Sequence, residues 1–275
     1  MSSEPLLESG SLNYGSYLHL DELLGAQRPA SDPAHHDELL FIVQHQTTEL
    51  WLKLVIHELS SAAERFAADD PSTALKRIAR VKHIQETMTH QWSVLATLTP
   101  SEYSEFRGAL GTSSGFQSYQ YRVVEFLLGN KNAKLLQVFA QQPEAQAAVR
   151  AALEAPSLYD EFLRWAARTG LAIPRAVLER DVTQPYVVND ELIDVFAGVY
   201  ADPESHWAVY EACEELVDLE DNFQLWRFRH MRTVQRTIGM GLGTGGSSGV
   251  AFLQRVLSVT FFPELFEVRT RIAAP

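Results

Sequence analysis

The sequence predicts an all-α protein, folded as a single helical domain with long core helices. Apolar residues recur at helical spacing through two long stretches, residues 35–68 and 204–238, and no Gly or Pro interrupts the first of them. No window alternates between apolar and polar residues as a strand would, and the chain has no repeat or low-complexity linker. These observations favour long helices with shorter ones packed around them.

The N-terminal half divides into an arm and three helices. Residues 1–34 form an irregular arm that contains a short helix and is punctuated by Gly and Pro. Long helices are predicted over 35–68 and 72–98. The sequence TPSE then supplies a capping residue, a first-turn proline and the glutamate of a capping box, so a third helix begins sharply there and stops near Gly111.

The C-terminal half is predicted to hold shorter helices before one long one. These helices are expected at residues 116–129, 145–155, 157–169, 189–200 and 204–238. A glycine-rich loop follows at 239–249, and the last helix is expected to begin near Ser247 or Ser248, with Pro263 separating it from the tail.

Composition excludes several classes of function. The net charge of −12 opposes binding to nucleic acid or to acidic membranes. A single cysteine, Cys213, allows no intrachain disulfide, fits a reducing cytoplasm, and rules out Cys-rich zinc sites and thiolate-held iron–sulfur clusters. We expect no signal peptide, because the first ten residues are acidic, and no transmembrane helix, because no stretch of eighteen apolar residues occurs.

Three familiar motifs fail on their context. The letters GLGTGG at 241–246 resemble a dinucleotide fingerprint, but a predicted helix precedes them instead of a strand; a flexible turn, or a mobile loop that closes over a ligand, remains possible. No Glu is followed three residues later by His, which excludes the di-iron bundle pattern. The run His35-His36-Asp37 lies at a helix start, where capping is the simpler interpretation than metal binding.

One helical face of the longest helix is a candidate ligand site. Phe223, Trp226, His230 and Val234 fall on this face. A His in such a place is more often a packed core residue than a ligand. Four nearby arginines favour the ligand interpretation if they bind a small anionic ligand such as the propionates of heme; pairing with acidic neighbours is their alternative role. A lone imidazole also suits heme iron. The four arginines are Arg227, Arg229, Arg232 and Arg236.

Two further pairs have i, i+4 spacing and therefore share a helical face. Phe41 and His45 lie on an otherwise apolar helix. Tyr103 and Arg107 could together clamp a carboxylate, because Arg offers a fork of N–H donors. A surface salt bridge to the neighbouring glutamates is the alternative for Arg107.

Taken together, the chain resembles the tryptophan 2,3-dioxygenases over nearly its whole length. The segments that carry the resemblance are LNYGSYLHLDELLGAQ, AHHDELLFIVQHQTTELWLKL, QWSVLATLTPSEYSEFRGALGTSSGFQSYQYR, EFLLGNKN, APSLYDEFLRW, FQLWRFRHMRTVQRTIG, GTGGSSGV and FFPELFEVR. The resemblance implies a helical catalytic domain at 35–275 that encloses a b-type heme, ferrous in the active state, with O2 as co-substrate and L-tryptophan cleaved at the indole C2–C3 bond to N-formylkynurenine.

The resemblance also implies a role for individual residues. His230 is implied to be the axial ligand of the heme iron, His45 the distal residue near the indole N–H, and Phe41 part of the indole pocket. Substrate carboxylate and ammonium groups are implied to be held by Tyr103, Arg107 and Thr244. The arm at 1–34 is implied to reach a neighbouring subunit of a homotetramer through Tyr14, Tyr17 and Leu18.

The sequence departs from the family pattern at one place. The basic residue usual just before GTGGSSG is absent, and glycine at 239 and 241 should loosen this loop. Two alternatives therefore stay open: a monooxygenase of a substituted tryptophan or indole in secondary metabolism, and a non-catalytic heme sensor. The Tyr103, Arg107 and Thr244 set favours an amino-acid substrate over a sensor. We expect a cytoplasmic enzyme.

Overall fold

The architecture is taken from a computed structural model, which describes residues 12–241, 243 and 249–272. Within these residues there are α-helices and short 3-10 segments but no strand, and the all-α prediction is confirmed. The α-helices are α1 (Tyr14–Tyr17), α2 (Leu20–Leu24), α3 (His36–Ala67), α4 (Pro71–Leu95), α5 (Pro100–Arg107), α6 (Tyr119–Leu127), α7 (Pro143–Glu154), α8 (Leu158–Arg168), α9 (Arg175–Leu178), α10 (Asp190–Ala201), α11 (Trp207–Ile238), α12 (Val250–Val256) and α13 (Pro263–Ile272).

Three long helices form the centre of the domain. Helix α4 packs against both α3 and α11, while α8 and α6 also pack against α3. Their contact faces bury aliphatic side chains such as Leu59, Ile78 and Leu216, each fully inaccessible to solvent. Because burial of apolar surface is the main stabilising term, these contacts fix the positions of α3 and α11 relative to each other through α4.

The helix ends follow the chemistry of their sequence. Helix α4 begins after Asp70, whose side chain accepts from the backbone N–H of Thr73, and Pro71 occupies its first turn. The predicted capping box at the start of α5 is confirmed, with Thr99 and Glu102 bonded reciprocally. Helix α11 ends at Ile238, and Gly239, which caps it, has φ 60°.

Two predicted boundaries in the helices were wrong. The helix expected at 116–129 is divided at Ser118, which has extended backbone and caps α6 through the N–H of Tyr121, after a 3-10 turn at Gly115–Gln117. Pro263 begins α13 instead of ending a helix, because a proline is readily accommodated in the first turn. The 3-10 helix Ala133–Phe139 and the short α9 were not predicted.

The run at the start of α3 neither caps with a side chain nor forms part of a metal cluster. His35 occupies the N-cap position without a side-chain cap bond, and its Nδ1 lies 3.2 Å from Oε2 of Glu105. Among the described residues no group of three His, Cys, Asp or Glu could hold a metal ion. No helix within residues 12–241 and 249–272 is long and apolar enough to cross a membrane.

Candidate functional site

A deep pocket lies where α3, α4, α5, α6, α11 and α12 converge. The empty space of the pocket, counted together with its solvent-filled mouth, is about 1490 Å³. Aromatic and aliphatic side chains make up most of its wall, and His45 and His230 both line it. The packing of α3 and α11 against α4 therefore brings two histidines from distant parts of the sequence to one cavity.

The α3 wall carries His45 and Phe41, whose rings are in contact and tilted by 38° to each other. Their ring centroids are 4.2 Å apart, and Nδ1 of His45 donates to the backbone carbonyl of Phe41 at 2.7 Å. A carbonyl can only accept, so Nδ1 carries the proton and Nε2 keeps its lone pair. Burial lowers the pKa of His45, and this effect outweighs the opposing effects of the hydrogen bond to the Phe41 carbonyl and of the Glu49 charge. His45 is therefore neutral at neutral pH.

The α11 wall is built around His230. Its ring stacks on Trp92 with a centroid distance of 4.6 Å and an interplanar angle of 9°, and Trp226 lies 5.7 Å away. Burial, with a smaller contribution from His45, lowers the pKa of His230 to about 4. The imidazole is thus neutral, is held by aromatic packing, and lines the pocket.

Tyr103 and Arg107 lie on α5 at one end of the pocket. Tyr103 lines the pocket and packs edge-on against Phe106 at 5.5 Å. Burial raises the pKa of Tyr103, so its hydroxyl is a proton donor at neutral pH. Arg107 does not line the pocket; it lies one turn further along α5, and its positive charge acts on the Tyr103 phenol.

A buried ionic cluster forms another part of the wall. Both oxygens of Glu125 are used: Oε2 accepts from Nη1 of Arg122 at 2.5 Å and Oε1 from Nη2 of Arg227 at 2.9 Å. Nε of Arg227 also donates to the hydroxyl of Tyr121 at 3.1 Å. Burial raises the pKa of Tyr121 to about 12, which keeps the phenol neutral.

A second carboxylate, Glu49, faces the pocket one turn after His45. Nε2 of Gln120 donates to its Oε2 at 2.8 Å and to its backbone carbonyl at 2.9 Å, which ties α3 to the start of α6. The carboxylate is therefore held in place while remaining close enough to influence the pKa of His45.

The predicted site residues of the N-terminal arm do not line this pocket. Tyr14, Tyr17 and Leu18 lie in and just after α1, are all exposed, and do not line it. Thr244 lies outside the described residues, although Gly243 and Gly249, on either side of it, line the pocket. Of the four arginines considered on α11, only Arg227 lines the wall; Arg229 and Arg236 are exposed, and Arg232 donates to Gln235.

Sequence reasoning missed Trp92, Arg122 and Glu49. Glu49 follows His45 at i, i+4, so its shared face was readable. Arg122 and Glu125 are also correctly spaced for an ion pair, but the spacing gives no sign of burial. Trp92 had no local signal, because its contact with His230 depends on how α4 packs against α11.

Comparison with known proteins gives one consistent result. The family model described as tryptophan 2,3-dioxygenase matches residues 3–198 and 192–272. Proteins named tryptophan 2,3-dioxygenase from Kineococcus radiotolerans and Arthrobacter sp. FB24 are each 66% identical to this chain, covering 96% of it and 92% and 93% of their own lengths. A protein of the same name from Saccharopolyspora erythraea is 61% identical, covering 95% of this chain and 93% of its own.

Proposed function

This chain belongs to the tryptophan 2,3-dioxygenase family, and we propose that it uses heme and O2 to cleave the indole C2–C3 bond of L-tryptophan, giving N-formylkynurenine. The chain is accordingly an oxidoreductase that incorporates dioxygen. The observation that carries the proposal is the pairing of His45 and His230 across one aromatic pocket.

The residues of the pocket fit a heme. His230 offers a neutral imidazole, the form that ligates iron, and among the described residues its ring nitrogens make no hydrogen bond that would compete. Trp92 and Trp226 supply flat apolar surface, and Arg227 adds a buried positive charge to the wall. When bound through His230, heme supplies an iron atom that binds and activates O2.

His45 is suited to orient the indole, not to act as a strong base. Since its Nδ1–H is held by the Phe41 carbonyl, Nε2 can accept a hydrogen bond from the indole N–H. The Phe41 ring, packed against it, offers an apolar face for the indole. Catalysis by this wall is then mainly positioning of the C2–C3 bond, which lowers the barrier by fixing reactant geometry.

The α5 end of the pocket is suited to the amino-acid part of the substrate. Tyr103 keeps a neutral hydroxyl that can donate, and Arg107 brings a positive charge one turn away. We propose that these two groups bind the substrate carboxylate together, with Thr244 contributing from the glycine-rich loop.

Product mass tests the proposed reaction most simply. We expect the reduced, heme-loaded protein to convert L-tryptophan in 18O2 to a product that carries two labelled oxygen atoms. A product with one labelled oxygen would identify a monooxygenase, and heme binding without any product would identify a sensor; either result contradicts the proposal. Boiled protein with the same heme content controls for free-heme oxidation.

We expect His45→Ala to weaken turnover without abolishing it. Loss of a single neutral hydrogen bond removes about 1 kcal/mol of orientation energy, or roughly fivefold in kcat/KM. The comparison with 1-methyltryptophan isolates this contact, because that substrate has no indole N–H and should lose less on the same substitution. Inactivity of His45→Ala with retained heme would show instead that His45 is essential to the chemistry.

We further propose that the chain works as a cytoplasmic homotetramer. The arm exposes large apolar side chains, with Tyr14 76% and Tyr17 67% accessible, which is typical of a surface that another subunit covers. Sedimentation velocity of the wild type should give a tetramer, and Tyr14→Ser with Tyr17→Ser should weaken it. A wild-type monomer at micromolar concentration would contradict the assembly. Cell fractionation tests the proposed location, and finding the protein in the membrane or exported fraction would contradict it.

A further inference from the structure

Arg122 is a buried cation in the pocket wall that the proposed reaction does not yet use. It lies on α6 and is 5% exposed. Its guanidinium carbon lies 4.5 Å from the centroid of the Phe116 ring and 5.1 Å from that of Tyr121. Nη1 donates to Glu125, whereas Nε is buried and has no acceptor within the described part of the chain. A buried N–H without an acceptor is costly, which points to a missing partner.

The charge around Arg122 is only partly balanced. Glu125 is shared between Arg122 and Arg227, so one carboxylate serves two guanidinium groups. Tyr121 is neutral and adds no negative charge. Glu220, which also acts on Arg227, is occupied by the backbone N–H groups of Phe261 and Phe262. Because an uncompensated buried cation is expensive, this wall favours an anion in the adjacent cavity.

Two more N–H donors lie in the same part of the wall. The indole nitrogens of Trp92 and Trp226 are buried and have no acceptor in the described structure. The centroid of Trp226 lies 5.7 Å from those of both Tyr121 and His230, so an aromatic chain connects the Arg122 region with the His230 side of the pocket. Tyr103, which is proposed to bind the substrate carboxylate, lies on a different helix, α5.

We propose that Arg122 forms a carboxylate-binding subsite of the pocket and that the carboxylate it holds is a propionate of the porphyrin. This inference rests on the proposed function, since it requires heme in this pocket. The substrate carboxylate has the same chemistry, but the connection of Arg122 to the His230 wall favours the porphyrin.

The test compares porphyrins that differ only in these carboxylates. Heme-free wild-type protein and the variants Arg122→Met and Arg122→Lys are titrated with hemin and with hemin dimethyl ester, and Kd is read from the Soret band. In Arg122→Met, Glu125 keeps its bond to Arg227, so no carboxylate is stranded. Arg77→Met is the matched control, because the buried Glu58 that it faces keeps its pairing with Arg80, and Arg77 does not line this pocket.

We expect wild type to prefer hemin over its ester by about ten- to a hundredfold, the range of a charge-assisted hydrogen bond. Arg122→Met should lose most of this preference, Arg122→Lys should keep part of it, and Arg77→Met should keep it whole. If Arg122→Met weakens both porphyrins by the same factor, Arg122 only supports the wall and the inference is overturned.

The source of the carboxylate is tested in parallel by the binding of L-tryptophan and tryptamine to the heme-loaded proteins. An Arg122→Met variant that keeps its preference for hemin but loses the preference for tryptophan would retain the subsite and assign it to the substrate, overturning the porphyrin assignment. Wild type that binds neither porphyrin would overturn the proposed function itself, a result distinct from failure of the subsite alone.

Discussion

His230→Ala is expected to lose bound heme and all measurable turnover. The substitution removes the one imidazole on the α11 wall, and no other histidine on that wall lines the described pocket. Spectra of the purified variant should lack the Soret band that the wild type gives, and oxygen uptake with L-tryptophan should fall to background. Added imidazole should restore part of the heme spectrum, because the cavity left by the side chain can admit it.

Two controls separate ligand loss from unfolding. His83→Ala changes a histidine whose side chain is 79% exposed and should behave as wild type. Far-UV circular dichroism should show that His230→Ala remains helical, since Trp92 and Trp226 still pack together at 5.8 Å. Full heme absorbance and turnover in His230→Ala would refute the assignment of His230 as the iron ligand.

Arg107→Ala is expected to raise KM for L-tryptophan by roughly thirtyfold. Loss of a charge-assisted hydrogen bond to the substrate carboxylate costs about 2 kcal/mol. Tyr103→Phe removes a neutral donor from the same end of the pocket and should cost about 1 kcal/mol. Initial rates over a range of substrate concentrations give both values.

Comparing L-tryptophan with tryptamine, which lacks the carboxylate, isolates the contact of Arg107. Tryptamine has the same indole and ammonium groups, so its binding to the heme-loaded protein should change little in Arg107→Ala. Arg107→Lys should recover only part of the affinity, because an ammonium cannot replace the fork of the guanidinium. An unchanged KM for tryptophan would remove Arg107 from the substrate site.

The fold was largely predictable because most of its helices carry local sequence signals. The long helices α3 and α11 have apolar residues at helical spacing, and α5 begins with a capping box that can be read in the sequence. The segment Ala133–Phe139 escaped prediction because it is a 3-10 helix, which lacks the 3.6-residue periodicity of an α-helix; its N-cap Asn132 accepts from the backbone N–H of Lys134. The role of Pro263 was ambiguous, since proline is compatible both with the end of one helix and with the start of another.

The site was predictable only where one helix carries two of its residues. The i, i+4 spacing of Phe41 and His45 predicts that they share a helical face, and the structure places that face in the pocket. The stacking of Trp92 on His230 requires two helices to pack, which no local pattern encodes. The burial of Arg122 is likewise a tertiary property, since an i, i+3 ion pair looks the same in sequence whether it is exposed or enclosed.

Titration of heme-free protein with hemin tests the central claim directly, because every proposed role assumes a porphyrin between the His45 and His230 walls. The account predicts saturation at one heme per chain, and a ferrous spectrum typical of a single axial imidazole. A polypeptide that stays colourless after purification and fails to take up hemin would contradict it.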